Sequence, residues 1–200
     1  MIELIPESYV VRFDLLKVFG RSAPLHVDLG CGDGSLLCAL AAQMPEKNFL
    51  GVERMLGRVR SASHKAGRRR TGGKIDNVRV LHLETFYTVR YLLPPASVEA
   101  FYLMFPDPWP KRRHQRRRVM TQDFLSAIGD ALIDGGIFRI ATDQSDYFEQ
   151  IRGLAERSTD FSTATLNGSD SFPVSTFEKR FKSDGASIYR LELRKTSPVI

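Results

Sequence analysis

The sequence predicts an α/β fold in three layers, with helices on both faces of a mostly parallel sheet and a late antiparallel strand. Short apolar runs alternate with longer stretches of helical periodicity along the 200 residues, which is the order that right-handed βαβ units produce. A glycine-rich loop joins the first predicted strand to the first predicted helix. The sequence contains no internal repeat and no low-complexity linker that would argue for another architecture.

The predicted strands are short apolar runs bounded by turn residues, at 25–29, 48–53, 78–84, 98–105, 137–142, 161–166 and 187–193. The predicted helices carry apolar residues at a period of about 3.6, at 35–43, 55–70, 119–132 and 146–157. Pro45 ends the first helix, and the pairs Gly72-Gly73 and Gly135-Gly136 end the second and third. The last strand alternates two sets of side chains, which is typical of a half-buried strand.

Size and composition indicate one domain over residues 1–200, with a short N-terminal extension at about 1–22. Apolar residues make up 42% of the chain and charged residues 26%, as in ordinary globular proteins. Cys31 and Cys38 are too few for a disulfide framework or a zinc site, so we expect reduced thiols in a cytoplasmic protein. No signal peptide and no membrane-spanning run are expected. The histidines lack the spacing of metal ligands, so no metal is predicted.

Positive charge is concentrated in two places, within a formal net charge of +6. Six Lys or Arg residues fall within 111–118. The second cluster consists of Lys65, Arg68, Arg69, Arg70 and Lys74. Such clusters predict contact with nucleic-acid phosphates. We expect the 112–118 run to be mobile without RNA, because its charges repel and few apolar residues interrupt them.

Acidic residues stand at or near the C-terminal ends of five predicted strands. They are Asp28, Glu53, Glu84, Asp107 and Asp143. Ligands of open α/β sheets bind beyond the carboxyl ends of the strands. Acids gathered at that edge of a basic protein therefore indicate a ligand site.

The loop at 30–34 has glycine at every second position. Gly30, Gly32 and Gly34 permit a tight turn and a close backbone approach to a ligand. The third glycine of the dinucleotide fingerprint is missing, and Asp28 would repel a pyrophosphate. Asp28 suits a cationic ligand with an ammonium group, such as S-adenosylmethionine (SAM), and Glu53 is placed to accept hydrogen bonds from ribose hydroxyls. The alternative is a plain strand-to-helix turn with a surface acid.

The segment 105–110 reads Phe-Pro-Asp-Pro-Trp-Pro. Its prolines fix φ and stiffen the loop, which suits a site that must hold a base against a methyl donor. Trp109 offers a stacking surface for an exposed base, while Lys111 and the arginines after it can bind phosphates. The alternative is a proline-rich turn followed by a solvated run of charge.

These motifs resemble those of the bacterial tRNA (guanine-N(7)-)-methyltransferase family. The matching segments are 27–34, 49–53, 105–114, 141–143 and 175–180, with Ile188-Tyr189. The resemblance covers about residues 19–193. It implies a class I, Rossmann-like methyltransferase fold, SAM as cofactor, and the variable-loop guanine of tRNA as substrate.

Position by position, the resemblance assigns one set of residues to SAM, namely Asp28, Glu53, Glu84 and Asp107. It assigns a second set to the RNA substrate, namely Lys111, Asp143, Ser175, Thr176, Phe177 and Glu178. Three residues depart from the family pattern. Asp28 stands where Glu is usual, Glu84 where Asp or Asn is usual, and Ser175 where Thr is usual.

The implied reaction is an in-line attack of the guanine N(7) lone pair on the methyl group, for which no general base is needed. We expect Asp107, the candidate catalytic residue, to hold the guanine through its N–H groups and to stabilise the positive charge that grows on the ring. Asp143 can share that task, and Lys111 would anchor phosphate or sugar oxygens. Thr142 and Asp143 can instead form a helix N-cap pair.

Three other functions fit parts of the pattern. The chain can methylate another RNA or a small molecule, although the basic clusters disfavour a small substrate. It can be a non-catalytic protein of the same fold that binds RNA. A nicotinamide-dependent oxidoreductase is opposed by the missing glycine and by Asp28. Both a monomer and a homodimer are compatible with the sequence.

Overall fold

A single sheet organises the protein. The computed structural model describes residues 2–68, 76–164, 178 and 185–197, and within them eight strands form the sheet. The strands are β1 (Glu3–Leu4), β2 (Leu25–Leu29), β3 (Asn48–Glu53), β4 (Val78–His82), β5 (Val98–Met104), β6 (Leu132–Thr142), β7 (Phe161–Ala164) and β8 (Tyr189–Lys195). Their order across the sheet is β1-β4-β3-β2-β5-β6-β8-β7.

The strand directions confirm the predicted mixed sheet. The pairings among β1 to β6 are all parallel. β8 lies antiparallel to both β6 and β7. Among the described strands, β8 is therefore the late antiparallel strand, and it lies between β6 and β7. The parallel part of the sheet brings the C-terminal ends of β2 to β6 to one edge.

Helices cover both faces of the sheet. They are α1 (Leu15–Phe19), α2 (Ser35–Gln43), α3 (Leu56–Gly67), α4 (Thr85–Tyr87), α5 (Gln122–Ala131) and α6 (Ser145–Glu156). α4 continues as a π-helix over Thr88–Leu92, and Arg112–Arg117 forms a 3₁₀ helix. α2 and α3 supply one apolar core, whereas α5, α6 and the π-helix supply the other.

Strand β5 shows how the sequence builds two cores at once. Phe101 and Leu103 belong to the core under α5 and α6, while Ala100 and Tyr102 belong to the core under α2 and α3. Because side chains alternate across a strand, a run that is apolar throughout is buried on both faces. The three-layer arrangement is therefore confirmed.

The predicted N-terminal extension contributes to the sheet rather than projecting from it. Glu3 and Leu4 pair with Val80 and Leu81 of β4. Further along, the Phe13 amide donates to the Leu92 carbonyl over 2.8 Å. The N-terminal segment thus closes the edge of the sheet beside β4.

The structure corrects the boundary predicted around Gly135-Gly136. α5 begins after Thr121, whose hydroxyl accepts from the Phe124 amide at 3.1 Å, and it ends at Ala131. The glycines lie within β6, at the irregular start of its pairing with β5. Gly135 adopts a φ of 72°, and a Cβ at Gly136 would lie 2.8 Å from a backbone oxygen. They therefore serve a distorted strand rather than a helix end.

Other boundaries shift by a few residues. α3 starts one residue later than predicted and ends at Gly67, β4 ends at His82 and β5 at Met104. β8 is displaced toward the C-terminus relative to the predicted 187–193. The glycine pair at 72–73, three of the predicted phosphate-binding cations (Arg69, Arg70 and Lys74), and residues 165–166 lie outside the described residues.

Candidate active site

The acids predicted at the strand ends do lie along one edge of the sheet. Asp28 is the penultimate residue of β2 and Glu53 is the last residue of β3. Glu84, Asp107 and Asp143 follow β4, β5 and β6 within a few residues. The prediction that parallel strands bring these side chains to a common edge is confirmed.

Two adjoining cavities occupy this edge. The larger cavity, of about 500 Å³, is lined by Glu53, Glu84, Asp107 and Trp109 among others. The smaller cavity, of about 130 Å³, is lined by Asp28, the loop from Gly30 to Asp33, and again Asp107. Asp107 and Gly30 border both cavities, so one elongated ligand can reach from one to the other. Asp143 lines neither of them.

The glycine loop turns sharply between β2 and α2. Gly30, Gly32 and Gly34 all have positive φ, at 75°, 56° and 74°, a region that favours glycine. A Cβ at Gly34 would lie 2.8 Å from the Ala62 Cβ, whereas one at Gly30 would meet nothing within 4 Å. Gly34 therefore lets α2 approach α3, and Gly30 leaves open space beside the cavities.

Asp28 is a buried carboxylate with no counterion among the described residues. Its side chain is 3% exposed, and Oδ2 has no hydrogen-bond partner among the described residues. Burial, with a smaller contribution from the nearby Glu53 charge, raises the pKa of Asp28 from 3.8 to about 7. Burial likewise raises the pKa of the Cys31 thiol. An unpaired acid of this kind fits the ammonium group of SAM, which would supply the missing positive charge.

Glu53 is held in place by the backbone around it. Oε2 accepts from the Gly32 amide at 3.1 Å, and Oε1 accepts from the Met55 amide at 2.8 Å. The carboxylate is buried and joins the glycine loop to the start of α3. Each oxygen retains acceptor capacity, so a carboxylate fixed in this way can receive ribose hydroxyls in the larger cavity.

Glu84 has a structural task in addition to the contact with SAM that was predicted for it. Its carboxylate accepts from the Phe86 amide at 2.9 Å and the Tyr87 amide at 2.7 Å. These bonds cap the N-terminus of α4. Glu84 nevertheless lines the larger cavity, so it can combine the cap with contact to a ligand. The capping pattern, an acid directly before Thr85, was the available signal.

The segment from Phe105 to Pro110 forms a strained loop above the cavities. Phe105 and Trp109 have positive φ, at 53° and 41°. Each such non-glycine residue costs about 1–3 kcal/mol and persists only where its surroundings impose it. On the side of β6, the Phe105 amide donates to the Ala141 carbonyl over 2.8 Å. Asp107 lies in the exposed part of the loop, where its Oδ2 pairs with the Arg54 guanidinium at 3.2 Å.

Trp109 has a less open ring than the sequence suggested. The Arg117 guanidinium lies 5.0 Å from the ring centroid, over its face. The His114 ring lies perpendicular to the Trp109 ring, with the two centroids 5.9 Å apart. Because Arg117 covers one face, base stacking on Trp109 is limited to the other. Arg117 also lines the larger cavity and brings a positive charge to its rim.

Arg118 differs from the other arginines of the basic run. The chain was expected to present 112–118 as a mobile, phosphate-binding stretch, but Arg118 is only 4% exposed and makes side-chain hydrogen bonds to three residues. It is therefore not available as a phosphate contact, and the mobility expected for the 112–118 run stays a prediction. No local pattern marks this burial, because the partners of Arg118 are up to 32 residues away along the chain. Lys111, Arg112, Arg113 and Arg116 are exposed.

The other predicted substrate residues either have partners within the protein or lie outside the described residues. Asp143 accepts from the Gln144 side-chain amide at 2.8 Å. The N-cap of α6 is Gln144, so Thr142 and Asp143 are not the N-cap pair. Glu178 is buried and forms an ion pair with Arg190 of β8. Ser175, Thr176 and Phe177 lie outside the described residues.

The described residues contain neither a metal-binding cluster nor a membrane-spanning helix. Within residues 2–68, 76–164, 178 and 185–197, no group of three or more His, Cys, Asp or Glu side chains is arranged to hold a metal ion. In the same part of the chain, no helix has both the length and the apolar composition needed to cross a membrane.

Comparison with known proteins identifies the family. A family model described as "Putative methyltransferase" matches residues 22–191. A tRNA (guanine-N(7)-)-methyltransferase of Rubrobacter xylanophilus is 37% identical over 88% of this chain and 79% of its own length. One from Halorhodospira halophila is 35% identical over 95% of this chain and 82% of its own length.

Solved structures support the fold alone. The antibiotic-resistance methyltransferase Kmr has a TM-score of 0.66 at 16% identity, over 98% of this chain and 96% of Kmr. The 16S rRNA methyltransferase KamB has a TM-score of 0.66 at 15% identity, over 93% and 95% of the two chains. With the fold in agreement and the sequence relatives matched along most of their length, the chain belongs to the tRNA (guanine-N(7)-)-methyltransferase family.

Proposed function

We propose that this protein transfers the methyl group of SAM to N(7) of a guanine in the variable loop of tRNA. The observation that carries the proposal is the position of Asp107. It borders both the cavity that contains the unpaired Asp28 and the cavity that contains Trp109. A methyl donor anchored at Asp28 and a base held at the 105–110 loop would therefore meet beside Asp107.

The residues present suit SAM along its whole length. Asp28 would hold the ammonium group, and the amides of the glycine loop would approach the methionine moiety. Glu53 would accept the ribose hydroxyls, and Glu84 would lie toward the adenine end of the larger cavity. When bound, SAM supplies an electrophilic methyl group on a positively charged sulfur.

Asp107 would orient the guanine and stabilise its developing charge. Its carboxylate can accept from the N–H groups on the Watson–Crick edge of the base. Guanine N(7) carries no proton, so the nucleophile needs no general base. Catalysis then depends on proximity and alignment and on a negative charge placed near a ring that becomes positive. The stiff, strained loop would keep that carboxylate in place.

The RNA backbone would be bound around the loop. Lys111 and the exposed arginines of 112–117 lie directly after it and can contact phosphates. The face of Trp109 opposite Arg117 is the one proposed to stack on a base. Asp143 and the segment from Ser175 to Glu178 remain proposed substrate contacts. Glu178 is buried and paired with Arg190, so it would support that segment rather than touch the RNA itself. We place the whole activity in one domain of a cytoplasmic protein, because tRNA is its substrate.

The decisive experiment is nucleoside analysis of tRNA after incubation with labelled SAM. An unmodified tRNA transcript should acquire 7-methylguanosine, and a transcript with adenine in place of the variable-loop guanine should acquire none. Label in a different nucleoside would redirect the substrate assignment. Tight tRNA binding without any transfer would favour a non-catalytic RNA-binding protein instead.

A further inference from the structure

Arg118 connects the strained loop to helix α6. Its Nε donates to the Pro108 carbonyl at 2.7 Å. One terminal nitrogen donates to Gln150 at 2.8 Å, and the other donates to Asp146 at 2.6 Å. The guanidinium also lies over the ring of Tyr147, 4.5 Å from its centroid.

The burial of this group makes its geometry restrictive. The side chain of Arg118 is 2% exposed, whereas that of Asp146 is 55% exposed. A desolvated guanidinium needs a full set of acceptors in its own plane. Here those acceptors come from two separate parts of the chain, the loop and α6. Neither part can move far without leaving a buried N–H group unsatisfied.

The two parts joined by Arg118 both carry proposed substrate residues. Pro108 is the neighbour of Asp107 in the loop, and α6 begins two residues after Asp143. The far side of the loop is tied to β6 by the hydrogen bond between Phe105 and Ala141. The loop is thus fixed at two points, which accounts for the positive φ values it retains.

We propose that Arg118 is a positioning residue, which holds the Asp107 carboxylate at its place relative to the methyl donor and to Asp143. This inference rests on the proposed function, because it assumes that Asp107 contacts the guanine. Arg118 acts through the Pro108 carbonyl and does not touch the substrate. A lysine cannot replace it, since one ammonium group cannot satisfy three acceptors in a fork and also cover the Tyr147 ring.

The test compares Arg118→Lys with Arg139→Lys. Arg139 is a suitable control because it forms a largely buried pair with Glu192 at 2.8 Å on β6 and β8, outside the lining of both cavities. We expect Arg118→Lys to lower kcat about tenfold or more, since small misplacements of a reacting group are costly. The Kd for SAM should stay within about twofold, because Asp28 and Glu53 are untouched.

Trp109 supplies a readout that does not depend on activity. It is the one tryptophan of the sequence, so fluorescence excited selectively at tryptophan reports on the loop alone. We expect Arg118→Lys to shift the Trp109 emission to the red and to increase its quenching by acrylamide. Arg139→Lys should change neither. A variant with wild-type kcat and wild-type quenching would overturn the proposal.

A milder variant keeps the proposal testable if Arg118→Lys does not fold. Gln150→Ala removes one acceptor on α6 and leaves the charge of Arg118 paired with Asp146. It should lower kcat and increase the acrylamide quenching of Trp109, each by a smaller factor than Arg118→Lys does. Normal kcat and quenching in folded Gln150→Ala would then count against positioning. If the wild-type protein forms no 7-methylguanosine, the proposed function itself fails, which is a separate outcome.

Discussion

The Arg54 guanidinium lies 3.2 Å from the Asp107 carboxylate, although the two side chains are 64% and 68% exposed. Without a substrate, the acid proposed to hold guanine therefore already has a cationic partner. Exposed pairs of this kind are weak and are screened by salt. A guanine edge that offers two N–H groups can displace Arg54 at little cost.

Replacing Asp107 should separate catalysis from folding. We expect Asp107→Asn to lower kcat by roughly 100-fold, because removing one preorganised charge from a transition state costs about that much. The Tm should change little, since the side chain is exposed. The amount of 7-methylguanosine formed at successive times gives the rate. Asp130→Asn is the matched control, as Asp130 forms an exposed pair with Arg90 at 3.0 Å. Similar rates for both variants would exclude the role of Asp107.

Replacing Arg54 tests the strength of its ion pair with Asp107. Arg54→Ala should reduce the free energy of unfolding by less than about 1 kcal/mol, as for other exposed ion pairs. The difference from wild type should shrink further in high salt, because screening weakens the pair first. Urea unfolding at low and high ionic strength measures both. A loss of several kcal/mol would mean that Arg54 has an additional, buried partner.

Asp28 should make stability depend on pH. Its pKa is about 7 in the folded protein and 3.8 as an ordinary carboxyl, so between those values the folded state holds a proton that the unfolded state has lost. Stability therefore falls as pH rises through that window. Asp28→Asn should match wild type near pH 4 and exceed it by roughly 2–4 kcal/mol at pH 8. The measurement is the variant-minus-wild-type difference in urea unfolding, and a constant difference across pH would contradict it.

SAM should bind with proton release at the same residue. A cationic ammonium group beside Asp28 favours the carboxylate, so binding below pH 7 must expel the proton. We expect the Kd for SAM to fall as pH rises from about 5.5 to 7, by up to about tenfold per pH unit. Calorimetry in buffers of different ionisation enthalpy measures the protons released. Asp28→Asn should bind more weakly and without this pH dependence; an equal slope in both proteins would assign the proton to another group.

The sequence predicted those parts of the site that follow from strand order. Asp28 and Glu53 could be placed because a buried parallel strand determines where the side chains at its C-terminal end lie. Arg118 could not be separated from its basic neighbours, because its burial arises from contacts with Pro108 and with α6. The capping role of Glu84 also depends on a short helix that no periodicity marks. Local pattern thus located the edge of the sheet, and distant contacts decided what each charge does there.

We expect alanine substitutions at Gly30 and Gly34 to lower stability by different amounts. Gly34→Ala should lower stability by about 1–3 kcal/mol, because its φ is 74° and its Cβ would lie 2.8 Å from that of Ala62. Ala62→Gly in the same chain should recover only part of the loss, because the Cα at position 62 would still lie 3.0 Å from the new Cβ and the backbone strain would remain. Gly30→Ala meets no atom within 4 Å, so its stability loss should be limited to the strain of a positive φ, about 1 kcal/mol.

For the affinity for SAM we expect the opposite order, with the larger loss in Gly30→Ala. Gly30 borders both cavities, so a methyl group there intrudes on the space that the ligand needs, whereas Gly34 faces α3. We expect Gly30→Ala to weaken SAM binding tenfold or more and folded Gly34→Ala to weaken it less, as close backbone approach is what glycine provides in such loops. Thermal unfolding and calorimetry on the same samples give both quantities. If Gly34→Ala lost more affinity than Gly30→Ala, the ligand would have to lie on the α3 side of the loop.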